Sequence, residues 1–168
     1  MRNTVILLAI STALMALTPI ARAADGVAPE IQREVGTAQA VGQLHTLRTI
    51  PEACVRLQGQ FTGDAKAPYS FEAVPRNRCA QRAAYVTAST LKTPPTVTSG
   101  WILNDRISVP RTDAPKCMAV LDVWRLAGQL SPPKLDPQGR SRLYLDKPKQ
   151  SSAVPLYTAV LQRPKGCG

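Results

Sequence analysis

Four cysteines, Cys54, Cys79, Cys117 and Cys167, carry the clearest chemistry in this 168-residue chain. An even number of thiols in an oxidising compartment closes into two bridges, for which three connectivities exist. Structural zinc would need ligands paired at short spacing. No C-x-x-C occurs and His45 is the single histidine, so the pattern favours neither a zinc site nor a dithiol redox centre. Strand periodicity chooses among the three connectivities. Between 55 and 61, apolar Val55, Leu57 and Phe61 alternate with Arg56, Gln58 and Gln60, the period of a half-buried strand. Residues 69–74 read as the returning strand, and Gly63, Asp64 and Pro68 supply the turn. A symmetric hairpin sets Cys54 against Cys79 at its open end, closing a loop of about 26 residues worth roughly 3–4 kcal/mol in the chain-entropy account. Cys117 opens the apolar run 118–126 and Cys167 follows the run 154–162, so antiparallel pairing of those strands brings the second pair of sulfurs together.

The remaining reactive side chains are sparse. His45 lies in the polar strand-like stretch LHTLRT, and no G-x-S-x-G elbow or second histidine accompanies it. As a general base it would need a carboxylate beside it. Asp105 with Asp122, or Glu52 with Glu72, are pairs that a fold could assemble for glycosidase-type chemistry. Eleven acids supply such pairs by chance. Asp64, Asp113 and Asp136 stand singly, unlike the clustered acids of a calcium loop, and glycine-rich phosphate cradles are missing. The sequence therefore assigns no catalytic residue, no metal ligand and no cofactor.

Charge is the other lead. The formal net charge is +10, which favours anionic surfaces such as nucleic acid, lipid headgroups, lipopolysaccharide or acidic cell-wall polymer. Two basic groupings are the candidate anion contacts. Arg76, Arg78 and Arg82 lie around Cys79, where alternate positions on an extended backbone would put two guanidiniums on one side. Arg140, Arg142, Lys147 and Lys149, with Lys134 nearby, form a looser set diluted by Asp136 and Asp146. Either could grip phosphate or carboxylate through charge-assisted bonds. No block of five or more like charges occurs, so a merely solvated charged face is the competing reading.

These residues need a scaffold. Arg2, an apolar run from Val5 to Leu17 and the triplet Ala21, Arg22, Ala23 read as a cleaved export signal over 1–23. Its apolar run is shorter than the roughly 20 residues of a spanning helix, so no transmembrane anchor is expected. Residues 24–40 read as a lead-in, either loose or forming one short helix, and 41–168 as a single β domain. Fifteen prolines keep the elements short. Strands are expected near 41–48, 54–61, 69–74, 79–87, 101–109, 117–126, 141–146 and 154–162, with loops at 87–100 and 131–139. Trp101 and Trp124 sit in strands and are expected to pack in the core, the alternative being an aromatic platform for a sugar or base. The fold class is mainly β, a compact antiparallel sandwich or partly closed barrel of seven or eight short strands braced by disulfides. The functional expectation is a periplasmic or secreted, non-enzymatic binding domain that meets an anionic envelope polymer or acidic protein through its basic surface. A secreted hydrolase inhibitor using loop 87–100, and a small hydrolase using His45 with a carboxylate, are the rival readings.

Overall fold

The structure, a computed structural model, describes residues 27–128 and 154–167. The expected leader 1–23, the strand at 141–146, and Lys134, Arg140, Arg142, Lys147 and Lys149 lie outside the described residues. Alternation of apolar and polar side chains builds seven strands: β1 (His45–Ile50), β2 (Val55–Phe61), β3 (Tyr69–Pro75), β4 (Ala84–Tyr85), β5 (Trp101–Pro110), β6 (Met118–Leu126) and β7 (Leu156–Lys165). They form a three-stranded sheet in the order β1-β2-β3 and a four-stranded sheet in the order β4-β7-β6-β5. All pairings are antiparallel except the short β4–β7 pair, which is parallel. Ile50, Val55, Leu57, Phe61 and Tyr69 of the first sheet share one apolar core with Ile107, Val109, Ala119, Leu121, Val123 and Ala159 of the second. The architecture is thus a two-layer sandwich, and the sheets do not close into a barrel.

Both expected disulfides, Cys54–Cys79 and Cys117–Cys167, are present. The first arises less symmetrically than a plain hairpin would have it. Val55 pairs with Pro75, so Cys54 faces Arg76, whose amide donates to the Cys54 carbonyl at 2.8 Å. A turn through Asn77 and Arg78, with Arg78 in the left-handed region at φ 57°, then swings Cys79 back to its partner. That detour also shortens the strand expected at 79–87 to Ala84–Tyr85. The Arg82 and Ala83 amides both donate to the Glu52 carbonyl, not to a neighbouring strand.

The lead-in is extended, not helical. Glu30 and Ile31 donate to the carbonyls of Leu103 and Asn104, Gly36 to Ser108 and Gln39 to Pro110, so the segment runs parallel along the edge of β5. An uncovered edge strand leaves a row of unsatisfied backbone groups, and a short proline-containing helix could not have satisfied them. Val41 then bridges to Phe61, which stitches the edge of one sheet to the other.

Two local devices shape the interior. On β2, a Cβ at Gly59 would come within 2.1 Å of the Tyr69 hydroxyl, so only glycine lets that ring lie across the strand and pack edge-on against Phe61. On β5, the register slips between Leu103 and Asp105, and Asn104 is the extra residue of a bulge. The slip changes the inward parity. Asp105, Ile107 and Val109 face the shared core, whereas Trp101 and Leu103 share a face with Leu126 and Trp124 on the far side of the sheet. Both are nonetheless buried, Trp101 at 5% and Leu103 at 1% exposure, outside the main core.

Candidate functional site

Asp105 is completely buried on the inward face of β5. Its carboxylate accepts from Arg48 Nη1 at 3.0 Å, reaching across the sandwich from β1, and from Arg33 Nε at 2.8 and 2.9 Å, reaching in from the lead-in. Burial pulls the Arg48 guanidinium below its ordinary value while the Asp105 charge works against that shift. Nearby, Arg125 binds both carboxylate oxygens of Glu30, and Asn104 Nδ2 donates to the same carboxylate at 2.8 Å. The bonds from Arg125 outweigh desolvation and hold Glu30 down at about 2, against an ordinary 4.5. This ionic cluster fastens the lead-in to the sandwich.

The sign of the Glu30 shift sets a pH dependence. Its folded value is depressed, so the stabilisation is fully present above 4.5 and disappears as pH falls from 4.5 towards 2. Because the side chain is 37% exposed, the gain is screened to at most about 1 kcal/mol. Urea midpoints of wild type and Glu30→Gln should accordingly differ at pH 7 and converge near pH 2; a gap that persists at pH 2 contradicts the assignment.

The sequence-nominated catalytic groups are not assembled. Nδ1 of His45 faces the Gln43 carbonyl at 3.1 Å, which can only accept, so Nε2 is left to accept from the Tyr69 hydroxyl at 2.8 Å. Nε2 thereby links β1 to β3 while Nδ1 is used locally, and among the described residues neither nitrogen is bonded to a carboxylate. Asp105 and Asp122 occupy opposite faces of their sheet: Asp105 pairs with inward Val123, while Asp122 pairs with Arg106 on the outward face. There Asp122 is 1% exposed and accepts from Arg106 Nε at 2.7 Å, Arg106 Nη2 at 2.9 Å and Gln162 Nε2 at 2.9 Å. Glu52 and Glu72 are likewise apart, one in the turn Pro51–Ala53 and the other beside Gln58 on the outward face of β3. Among the described residues no group of three or more His, Cys, Asp or Glu could hold a metal ion.

What the structure does bring together is the arginine corner. Arg76, Arg78 and Arg82 follow one another around the turn closed by Cys54–Cys79, all three exposed. The extended-backbone argument for pairing Arg76 with Arg78 fails, because Arg78 is left-handed; the turn and the disulfide group them instead. Backbone bonds at Arg76 and Arg82 fix both ends of the turn. Arg33, Arg48, Arg106, Arg111 and Arg125 are each paired with a carboxylate, whereas no ion pair among the described residues engages Arg76, Arg78 or Arg82, nor Arg56 on β2 or Arg163 on β7.

Loop 87–100 forms a third layer. Its turn Ala88–Thr90 touches β7, its turn Val97–Ser99 touches β5, and Pro95 is buried. Composition alone marked this stretch as a loop and could not show that it packs back on the sheet. No protein family, curated protein or solved structure matches the chain. Among the described residues, no helix is long and apolar enough to cross a membrane, and the two disulfides are consistent with an oxidising compartment.

Proposed function

We propose that this chain is an exported, non-enzymatic binding domain that grips an anionic envelope polymer through Arg76, Arg78 and Arg82. The observation that carries this reading is that three exposed arginines with no ion pair among the described residues stand on one disulfide-braced turn, whereas the other two such arginines, Arg56 and Arg163, lie singly on β2 and β7. A guanidinium already paired has little to offer a partner. One on a turn held by backbone bonds and a disulfide, with no ion pair among the described residues, loses less ordering entropy on meeting phosphate or carboxylate. Export to the periplasm or medium agrees with the leader-like N-terminus and the paired cysteines.

Lipopolysaccharide and polyphosphate are suitable probes. Each should bind at low salt, and raising the salt from about 50 to about 200 mM should weaken binding about tenfold, as expected when a few anion contacts release counterions. Changing Arg76, Arg78 and Arg82 together to glutamine should remove most of that binding and flatten its salt dependence. Absence of binding at low salt, or binding indifferent to the triple change, would overturn the reading.

A further inference from the structure

A second site lies on the opposite kind of chemistry. Where loop 87–100 stands off the outward face of the four-stranded sheet, it leaves a groove of about 530 Å³. The sheet contributes Trp124, Val160 and Gln162; the loop contributes Ala88, Ser89, Leu91, Pro94 and Pro95. This volume lies in the range that holds small ligands. We propose that the groove binds a neutral sugar ring, one unit of a glycan chain.

Three features converge on that occupant. None of the lining side chains is charged, in a chain whose formal net charge is +10, so an anionic ligand has far better partners at the arginine corner. The walls are ring-shaped and apolar, supplied by Trp124, Pro94 and Pro95, and they match the C–H faces of a pyranose. The rim carries hydrogen-bonding atoms suited to sugar hydroxyls. Gln162 spends Nε2 on Asp122, which leaves Oε1 as an acceptor, and the Ser89 hydroxyl can donate or accept. A purely apolar ligand would leave both of these without a use.

The groove is also preformed. Thr96 and Ser99 make a reciprocal cap, Ser99 Oγ donates to the Pro94 carbonyl, and the Trp101 amide donates to the Thr96 carbonyl. At the other end the Thr90 amide and hydroxyl both donate to the Thr87 carbonyl. On the sheet side, Asp122, itself bonded by Arg106, accepts from Gln162 and sets the orientation of its amide. A wall so fixed loses little entropy when a ligand enters.

Tryptophan emission and calorimetry with neutral oligosaccharides, a trimer of N-acetylglucosamine and maltotriose, test the site. Trp124 is half-buried in the groove while Trp101 is buried, so saturable binding of at least one sugar should shift the emission of Trp124. Trp124→Ala should abolish the shift and the heat of binding. Trp124 is itself a residue of β6, so Ser89→Leu at an exposed position is the second variant. It should keep the wild-type urea midpoint and weaken the sugar about tenfold, since it removes a rim hydroxyl and fills part of the groove. Binding should not weaken when salt is raised from about 50 to about 500 mM. No saturable binding of either sugar, binding that survives Ser89→Leu and Trp124→Ala, or binding that salt removes would each overturn the proposal. The Arg76, Arg78 and Arg82 triple variant should retain sugar binding in full, which separates this site from the anionic one.

Discussion

Asp105→Asn should lower the unfolding free energy by about 3–5 kcal/mol, because it leaves the buried Arg48 guanidinium without its counter-charge. Arg48 is only 10% exposed and Asp105 not at all, so solvent cannot take over the bond. The amide would keep the size of the side chain, but it would turn either an N–H group or a weaker acceptor towards two guanidiniums. For a domain with about 5–15 kcal/mol in hand, that is a large fraction. Arg33→Gln should cost under about 1 kcal/mol, since that partner is 38% exposed and water replaces its bond. The joint change of Asp105→Leu with Arg48→Met should recover most of the loss, because removing both ions removes the desolvation cost along with the attraction. Urea unfolding of the four proteins decides it. A loss below 1 kcal/mol for Asp105→Asn would mean that the charge bridge does not tie the sheets together.

The same residue shows where the sequence stops being readable. Strands β2 and β3 follow from alternation around a Gly, Asp and Pro turn, which leads to the pairing of Cys54 with Cys79, and antiparallel pairing of the apolar runs 118–126 and 154–162 leads to that of Cys117 with Cys167. Trp101, expected in the core, lies outside the shared core for a definite reason. One extra residue at Asn104 shifts the parity, so Trp101 and Leu103 leave the shared core and Asp105 enters it. A bulge has no composition of its own, and a carboxylate in the core looks in sequence like any solvated acid. The lead-in posed a similar difficulty. Its extended path is dictated by the free edge of β5, a tertiary demand that no local propensity expresses. The arginine corner was nominated from the run 76–82, yet what gathers it is the left-handed Arg78 and the disulfide, not strand geometry. The groove could not have been found from spacing, because it needs loop 87–100 to fold over Trp124.

Replacing both Cys117 and Cys167 by alanine should lower stability by about 4 kcal/mol, slightly more than the loss from replacing Cys54 and Cys79. The difference comes from the loops the two bridges close, 50 residues of separation against 25, since the unfolded chain regains more freedom from the longer one. The native side argues in the same direction. Met118 pairs with Lys165, so the bridge sits one rung past the end of the β6–β7 ladder and holds the last turn of the chain in place. Gly166 makes that closure possible: its φ is 70°, and a Cβ there would lie 2.4 Å from the Lys116 carbonyl oxygen. Cys117 is wholly buried within the shared core, so alanine rather than serine avoids adding an unpaired hydroxyl to the loss. Function should divide differently from stability. Removing Cys54–Cys79 loosens the turn that carries Arg76, Arg78 and Arg82 and should weaken anion binding even where the protein stays folded, whereas removing Cys117–Cys167 should leave anion affinity unchanged. Urea midpoints and polyphosphate titrations of the two double variants read both effects. Equal losses of affinity in the two would mean that the corner owes nothing to its disulfide, and a Cys117, Cys167 variant as stable as wild type would mean that the β6–β7 ladder needs no clasp.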